Sequence, residues 1–308
     1  MSKLDVIIVN WNSGRFLSEC INSILNSNHE DINKVIVIDN ASEDGSSDHL
    51  PIFDKLEIHK NRSNQGFAKA CNQGTKYAVS ENILFLNPDT KLFENTISGA
   101  LEKFKQNINI GILGISLVDE KSNVVKTCSR FLSARRVFSH SIGLTRLFKS
   151  TGMAMHDWDH KISGEVDQVM GAFFLTRKEL FNDLQGFDET FFVYYEEMDF
   201  CFRAKLKGYK TFYEASVQAY HYGGGTTENI ISERLFYSLR SRILYSIKHL
   251  NFVSCFISIF STLVIEMISR IFVLSILRFS FVNFIISSEA FLKLIAWLLK
   301  RLYLNIKF

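Results

Sequence analysis

The sequence predicts an α/β fold: a mostly parallel sheet with flanking helices, followed by an apolar helical C-terminal region. Three observations carry this. Short, fully apolar, β-branched runs alternate with stretches of helical periodicity over the first ninety residues. Each run stops in a cluster of Asn, Asp, Ser, Gly or Pro. From Phe252 onward Phe, Ile and Leu dominate. Strands alternating with helices imply right-handed crossovers and a sheet covered on both faces. The 308 residues allow one large domain or two modest ones. We expect two regions, residues 1–225 and 226–308.

Val6-Ile7-Ile8-Val9 reads as a buried strand that ends in the turn-rich Asn10-Trp11-Asn12-Ser13-Gly14. Phe16, Leu17, Cys20, Ile21, Ile24 and Leu25 then recur at helical spacing. Val35-Ile36-Val37-Ile38 makes a second strand, stopped at Asp39-Asn40, and Leu56-Glu57-Ile58 a third. A helix over Phe67 to Val79 leads into a fourth strand, Ile83-Leu84-Phe85-Leu86, broken by Asn87-Pro88-Asp89-Thr90. Open sheets bind ligands beyond the carboxyl ends of their strands, and those ends carry Asn10, Asp39 and Asp89. Any one of them is explained by a turn; three at one edge point to a site.

Composition narrows the class. A chain with 47% hydrophobic and 22% charged residues is too apolar to be disordered. A net charge of +3 gives no argument for nucleic acid. The five cysteines are scattered without a C-x-x-C pair, so buried thiols are expected rather than zinc or disulfides. The N-terminus reads as no secretory signal, so a cytoplasmic protein is expected. Neither G-x-G-x-x-G nor G-x-x-x-x-G-K-[ST] follows a strand. A lone carboxylate beside a proline-stiffened turn instead suits a divalent ion bridging a diphosphate, since Mg²⁺ takes one or two protein carboxylates and fills its shell with water and phosphate oxygens.

Several motifs come in a fixed order: Val9-Asn10-Trp11-Asn12-Ser13, Val37-Ile38-Asp39-Asn40-Ala41-Ser42, Asn64-Gln65-Gly66-Phe67 with Asn72, and Leu86-Asn87-Pro88-Asp89-Thr90. Gly171-Ala172, Gly186-Phe187-Asp188-Glu189, Phe191 to Asp199, Cys201-Phe202-Arg203, Gly208-Tyr209 and His221 follow. Together they resemble family 2 glycosyltransferases, in particular the rhamnosyltransferase-like branch, over about three quarters of the chain. The resemblance implies a GT-A fold, a nucleotide-diphosphate sugar donor, Mg²⁺ or Mn²⁺, and inversion at the anomeric carbon. It places Asp89 at the metal, with Asn87 where relatives carry the first acid of Asp-x-Asp. His221 matches a second metal ligand in some relatives; a structural hydrogen-bonding role is the alternative. Asp39 matches the residue that reads the nucleobase. Asn10, Asn64, Gly66 and Gly171 fall in donor-binding motifs, although a turn with a helix cap also accounts for Asn64 and Gly66.

The general base is expected in the acidic cluster Glu196, Glu197 and Asp199, at the start of a helix running to Lys207. Acids at a helix N-terminus also stabilise the macrodipole. Mutual repulsion is expected to raise at least one pKa toward the range of a general base. The resemblance puts the base at Glu197, where relatives usually carry Asp, and leaves Glu196 and Asp199 as supporting or acceptor-binding groups.

Arg130, Arg135, Arg136, Arg146 and Lys149 lie in a segment of weak periodicity, read as a solvated loop or as an acceptor loop meeting lipid phosphate. Gly223-Gly224-Gly225 suits a hinge. Beyond Asn251 stand six basic residues, among them Arg278 and Lys307, against two acids, Glu266 and Glu289. The uncharged stretch Leu250 to Ile265 is shorter than the ~20 residues of a spanning helix. Ser254, Ser258, Thr262, Glu266 and Ser269 form one polar stripe, which favours amphipathic helices lying on the membrane with basic residues toward headgroups. The alternatives are helices packed on the catalytic domain or on a second subunit, as in a homodimer, and then a true span. The expected activity is transfer of a sugar, rhamnose or another deoxyhexose, from a dTDP or UDP donor to a polyprenyl-diphosphate-linked glycan at the cytoplasmic face of the plasma membrane, in cell-surface polysaccharide synthesis such as that of lipopolysaccharide. A different donor sugar such as galactofuranose or a hexose, or a non-catalytic nucleotide-sugar-binding scaffold, are the competing readings.

Overall fold

A computed structural model describes residues 4–27, 30–223, 230–271 and 281–303. The expected boundary at 225–226, Gly224 and Gly225 of the glycine run, Arg278 and Lys307 lie outside the described residues. The chain forms two compact units. The first comprises Met1–Ser129, Trp158–Phe192 and Glu196–Thr226; the second comprises Arg130–Asp157, Val193–Tyr195 and Thr227–Phe308.

The first unit is built on one sheet. Its strands are β1 (Leu4–Asn10), β2 (Ile32–Asp39), β3 (Leu56–Lys60), β4 (Asn82–Leu86), β5 (Thr90–Leu92), β6 (Ile110–Val118), β7 (Val124–Val125), β8 (Gly164–Val166), β9 (Phe173–Arg177) and β10 (Lys210–His221). They lie in the order β3-β2-β1-β4-β9-β6-β10-β5, with β7 beside β6 and β8 beside β10. The run β3-β2-β1-β4 is parallel throughout, as the alternating pattern predicts. Strand β9 then runs antiparallel to both β4 and β6, and β5 and β8 run antiparallel to β10, while β10 is parallel to β6. The chain leaves β1 for β2 and β3 and returns on the other side of β1 as β4. That reversal puts a topological switch point at the carboxyl ends of β1 and β4, where such sheets bind ligands.

Helices α1 (Arg15–Leu25), α2 (Phe67–Thr75), α3 (Thr96–Gln106), α5 (Lys178–Asp183) and α6 (Glu196–Leu206) belong to this unit, while α4 (Ala134–Ser141) belongs to the second. Of the six apolar residues read at helical spacing in α1, Leu17, Cys20, Ile21 and Ile24 are fully buried, and Phe16 and Leu25 are half-buried. Helix α2 stops at Thr75 rather than Val79 because a buried carboxylate captures the next turn: Asp5 Oδ2 accepts from Val79 N at 2.5 Å and from Ser80 N at 2.7 Å. On the side of α5 and α6, Phe85, Phe181, Phe187 and Phe200 stack with ring centroids 5.0 to 5.3 Å apart. This cluster fixes α6, and with it the acidic residues at its start.

The second unit is helical. Residues read as a solvated loop form α4, capped by Ser133, whose Oγ accepts from Arg136 N at 3.4 Å, and Arg130 makes a two-point pair with Asp157 at 2.7 and 2.9 Å. Helices α7 (Ile231–His249), α8 (Phe252–Phe260) and α9 (Phe281–Tyr303) complete it, and α8 continues as a π-helical turn over Ser261–Glu266 and on to Ile271. Leu239, Ile243, Phe291 and Leu294 form its core. The polar stripe of α8, expected to face water or headgroups, turns inward. Of that stripe Ser258, Thr262 and Glu266 are at most 2% exposed and Ser254 and Ser269 half-buried, and the neighbouring Ser261 is buried with them. Ser258 bonds Ser246 of α7 at 2.7 Å, and Glu266 meets Arg242 of α7 and Arg270, the latter at 2.8 Å. The reason is that Arg242, itself 4% exposed, supplies the countercharge Glu266 needs to be buried. The opposite face carries Phe252, Val253, Phe256 and Phe260, all exposed. Phe252–Ile271 and Phe281–Tyr303, at 20 and 23 residues with mean hydropathy 2.0 and 1.6, are each long and apolar enough to cross a membrane, beyond the short stretch read from the sequence.

Candidate functional site

The residues singled out at strand ends gather in the first unit as two hydrogen-bonded networks. The first surrounds the ends of β1 and β2, which the parallel register places side by side, Asn10 opposite Asp39. Asn10 is fully buried; its Nδ2 donates to Ser42 Oγ at 3.0 Å, Ser46 Oγ at 2.9 Å and, longer, Asp39 Oδ1 at 3.4 Å, and its Oδ1 accepts from Ser13 Oγ. Asp39, 3% exposed, also accepts from Ser42 N at 3.1 Å and Ser47 Oγ at 2.6 Å. Its carboxylate therefore holds the 42–47 loop together.

Asn40 is the residue that reasoning from strand ends missed. It is 2% exposed, its Nδ2 donates to Asn64 Oδ1 at 2.8 Å, and its Oδ1 accepts from Asn61 Nδ2 at 3.1 Å and Gln65 N at 2.9 Å. A second Asn directly after the strand-ending Asp was the available signal. Asn64 Oδ1 in turn accepts from Gly66 N at 2.9 Å, so the turn reading of Asn64 is realised. Gly66 has φ of +87°, and a Cβ there would lie 2.6 Å from the Phe192 carbonyl oxygen, so only glycine fits. The next amide, Phe67 N, donates to that same oxygen at 2.6 Å and is thus used internally.

The second network begins at the turn after β4. Antiparallel pairing of β5 with β10 sets His221 opposite Thr90, one residue past Asp89. His221 Nε2 lies 3.2 Å from Asp89 Oδ1, both side chains being under a tenth exposed. That nitrogen is buried and makes no hydrogen bond. A buried imidazole nitrogen without a hydrogen bond is costly; sharing one cation with the adjacent carboxylate removes the cost. An oxygen and a nitrogen donor suit Mn²⁺ or Mg²⁺, with other positions left for water and phosphate. No cluster of three or more His, Cys, Asp or Glu occurs among the described residues, so the protein offers this pair and not a closed cage. The residues present fit the divalent ion that the resemblance implies.

The turn connects onward. Asn87 N donates to Ala172 O at 3.1 Å and Thr90 Oγ1 to the same oxygen at 3.3 Å, while Gly171 N donates to Glu197 Oε1 at 3.2 Å. A Cβ on Gly171 would stand 2.8 Å from that Oε1. Glycine at this position therefore makes room for the longer side chain that replaces the usual Asp. Glu197 is half-buried and Glu196 only 2% exposed. Burial raises both pKa values. Glu196, pressed also by the charges of Glu197 and Asp199, is raised well above the ordinary carboxylate range. Glu197 is raised by burial, opposed in part by the Gly171 amide that stabilises its charged form. The expected repulsion thus acts on Glu196 more than on Glu197.

Asp199 acts on this group through its charge while its own carboxylate is held elsewhere. Its fully buried carboxylate takes Arg203 Nε at 2.7 Å, and Arg203 donates on to Leu184 O at 2.6 Å and Gly186 O at 2.9 Å. It anchors α6 to the 184–186 turn. The two residues before the acidic cluster, Tyr194 and Tyr195, have φ of +68° and +73°. Left-handed backbone at two consecutive bulky residues is strained, and such strain gathers at functional sites.

Comparison with known proteins bears on the family and the fold. The chain is 25% identical over 211 residues to the low-salt glycan biosynthesis hexosyltransferase Agl10 of Haloferax volcanii, a match covering 67% of this chain and 62% of that protein, under two thirds of its length. It is 27% identical to the GalNAc(5)-diNAcBac-PP-undecaprenol beta-1,3-glucosyltransferase of Campylobacter jejuni, covering 70% and 67%. It is 21% identical to the N-acetylglucosaminyl-diphospho-decaprenol L-rhamnosyltransferase of Mycobacterium tuberculosis, covering 73% and 77%. A mannosyltransferase from Pyrobaculum calidifontis, solved with GDP-Man and Mn²⁺, superposes with a TM-score of 0.56 at 12% identity over 94% of this chain and 74% of its own, which shows a shared GT-A-like fold. The model for glycosyl transferase family 2 matches residues 5–185, the stretch that carries β1, the Asn87–Thr90 turn and Gly171, and the chain belongs to that family.

Proposed function

We propose that the chain is an inverting, divalent-metal-dependent glycosyltransferase that moves a sugar, rhamnose or another deoxyhexose, from a dTDP or UDP donor to a lipid-linked glycan in cell-surface polysaccharide synthesis. The observation that carries the reading is the buried Asp89–His221 pair, whose imidazole nitrogen lacks a hydrogen bond although it lies 3.2 Å from the carboxylate. Asp89 and His221 hold Mn²⁺ or Mg²⁺, which when bound neutralises the charge of the leaving diphosphate. Asn87 donates to a ribose hydroxyl, and Asp39 offers its carboxylate to the base from the end of β2. Asn10 and Asn40 keep the loops on either side in place.

Glu197 takes the proton of the acceptor hydroxyl. Its oxygen Oε1 is held by the Gly171 amide, and its raised pKa makes it a stronger base than an exposed glutamate. Glu196 favours the protonated form beside it, so only one negative charge is held there. The names of the relatives from Campylobacter and Mycobacterium, both with diphospho-lipid acceptors, support the lipid-linked acceptor. The exposed apolar faces of α8 and α9 support association with a membrane, which we read as peripheral and on its cytoplasmic side. The test is manganese-dependent donor hydrolysis by the purified chain across a panel of dTDP- and UDP-sugars. Thermal stabilisation by a donor with metal but no turnover favours the nucleotide-sugar-binding scaffold, and neither turnover nor stabilisation with any donor and metal sinks both readings.

A further inference from the structure

The second unit holds a cavity of about 430 Å³ formed by α7, α9 and the end of α8. Its volume falls within the ~300–1,000 Å³ of small-ligand sites. Two arginines, Arg234 and Arg270, line it together with the polar side chains of Tyr194, Ser238, Asn283 and Ser287, and no acidic residue does. Arg234 makes no ion pair among the described residues. Arg270 pairs with Glu266, which also takes Arg242. The lining thus carries two guanidinium groups and no carboxylate, and its hydroxyl and amide groups add donors for an anion with several oxygens. Guanidinium pairs suit phosphate in this way.

The rim has a second character. Ile231 is 52% exposed, and the first turns of α9 beside Asn283 and Ser287 present Phe281, Val282, Phe284 and Ile285 to the outside. A ligand with an anionic head and a hydrocarbon tail matches both features at once. In the chain, Tyr194 stands three residues before Glu197.

We propose that this cavity binds the phosphate or diphosphate group of an isoprenoid lipid, with the hydrocarbon chain lying along the exposed apolar turns of α9. This assignment rests on the reading of the chain as a sugar transferase with a lipid-linked acceptor, and it adds where the acceptor's charged group is held.

The test uses the full chain in non-ionic detergent micelles with farnesyl diphosphate as the titrant, followed by calorimetry. Wild-type protein binds it, and inorganic pyrophosphate competes only weakly. Arg234→Gln, and Ser287→Leu which fills the cavity, each weaken binding roughly tenfold or more. Lys103→Gln, on α3 in the first unit, serves as a control and binds like wild type. Unchanged binding by both cavity variants overturns the proposal, and so does pyrophosphate binding as tightly as the farnesyl compound. If Arg234→Gln instead loses only its affinity for vesicles of phosphatidylglycerol, the cavity is a membrane headgroup site and the acceptor assignment is overturned. Manganese-dependent donor binding on the same wild-type preparation tests the sugar-transfer reading separately, because it does not depend on this cavity.

Discussion

The two units distribute polarity in opposite ways. In the first, apolar side chains fill the sheet and polar ones collect at the ends of β1, β2 and β4, where Asn10, Asp39 and Asp89 are each under a tenth exposed but grouped around a site. In the second, the polar stripe of α8 is buried against α7 while Phe252, Phe256 and Phe260 face outward. A water-soluble helix is arranged the other way round. The difference teaches that the first unit gathers buried polar groups at one edge of its sheet while the second presents an apolar exterior, so on the proposed reading one substitution should act on chemistry in the former and on attachment in the latter.

The contrast is broken most directly at the metal pair. Asp89→Ala is expected to lower transfer about a thousandfold and to abolish manganese-dependent donor binding in calorimetry, with vesicle binding untouched. Next comes the base: Glu197→Gln is expected to cost roughly 100- to 1,000-fold in kcat with donor affinity retained. The base must be ionised to accept a proton, so the wild-type rate falls as pH drops through the raised value of Glu197, at a pH above the range of an ordinary glutamate. A rate that is flat down to that ordinary range sinks the assignment. Gly171→Ala puts a methyl 2.8 Å from Glu197 Oε1 and is expected to slow turnover about tenfold to a hundredfold by displacing the carboxylate, with the melting temperature little changed.

On the other side of the comparison, Phe256→Glu with Phe260→Glu is expected to lower partitioning onto anionic vesicles about tenfold while donor hydrolysis in detergent stays as it was. Retained sedimentation with vesicles removes the apolar exterior from the account. The smallest effect is on stability. Glu196 has a folded pKa raised well above its unfolded value, so the native state binds the extra proton and stability declines as pH rises from the unfolded value toward the folded one. Glu196→Gln removes that dependence. It should melt about 2–4 °C higher than wild type near pH 8 and no higher near pH 4, as followed by circular dichroism.

Much of this was legible in the primary structure, for physical reasons that differ by region. The strands β1, β2 and β4 are buried on both faces, so continuous apolar runs had to mark them, and the turn residues that stopped those runs had to mark the edge. Asn40 was marked only by its place after Asp39, because the residues it holds lie 21 to 25 positions further along the chain. The same reasoning could not tell that Asp199 takes Arg203, since an acid in the first turn of a helix has no partner written into its local spacing.

What the amino-acid order determined by itself is the alternation that makes the sheet, the positions of Asn10, Asp39 and Asp89 at strand ends, and the polar stripe of α8, because backbone periodicity ties each of these to local spacing. Only the tertiary structure decided that His221 stands 3.2 Å from Asp89, that Gly171 makes room for Glu197, and that the stripe of α8 points inward. Those three depend on antiparallel pairing of β5 with β10, on the close approach of residue 171 to α6, and on Arg242 reaching Glu266 from another helix. Contacts between residues distant along the chain leave no periodic trace in it, and it is in such contacts that the site and the outward-facing apolar surface are made.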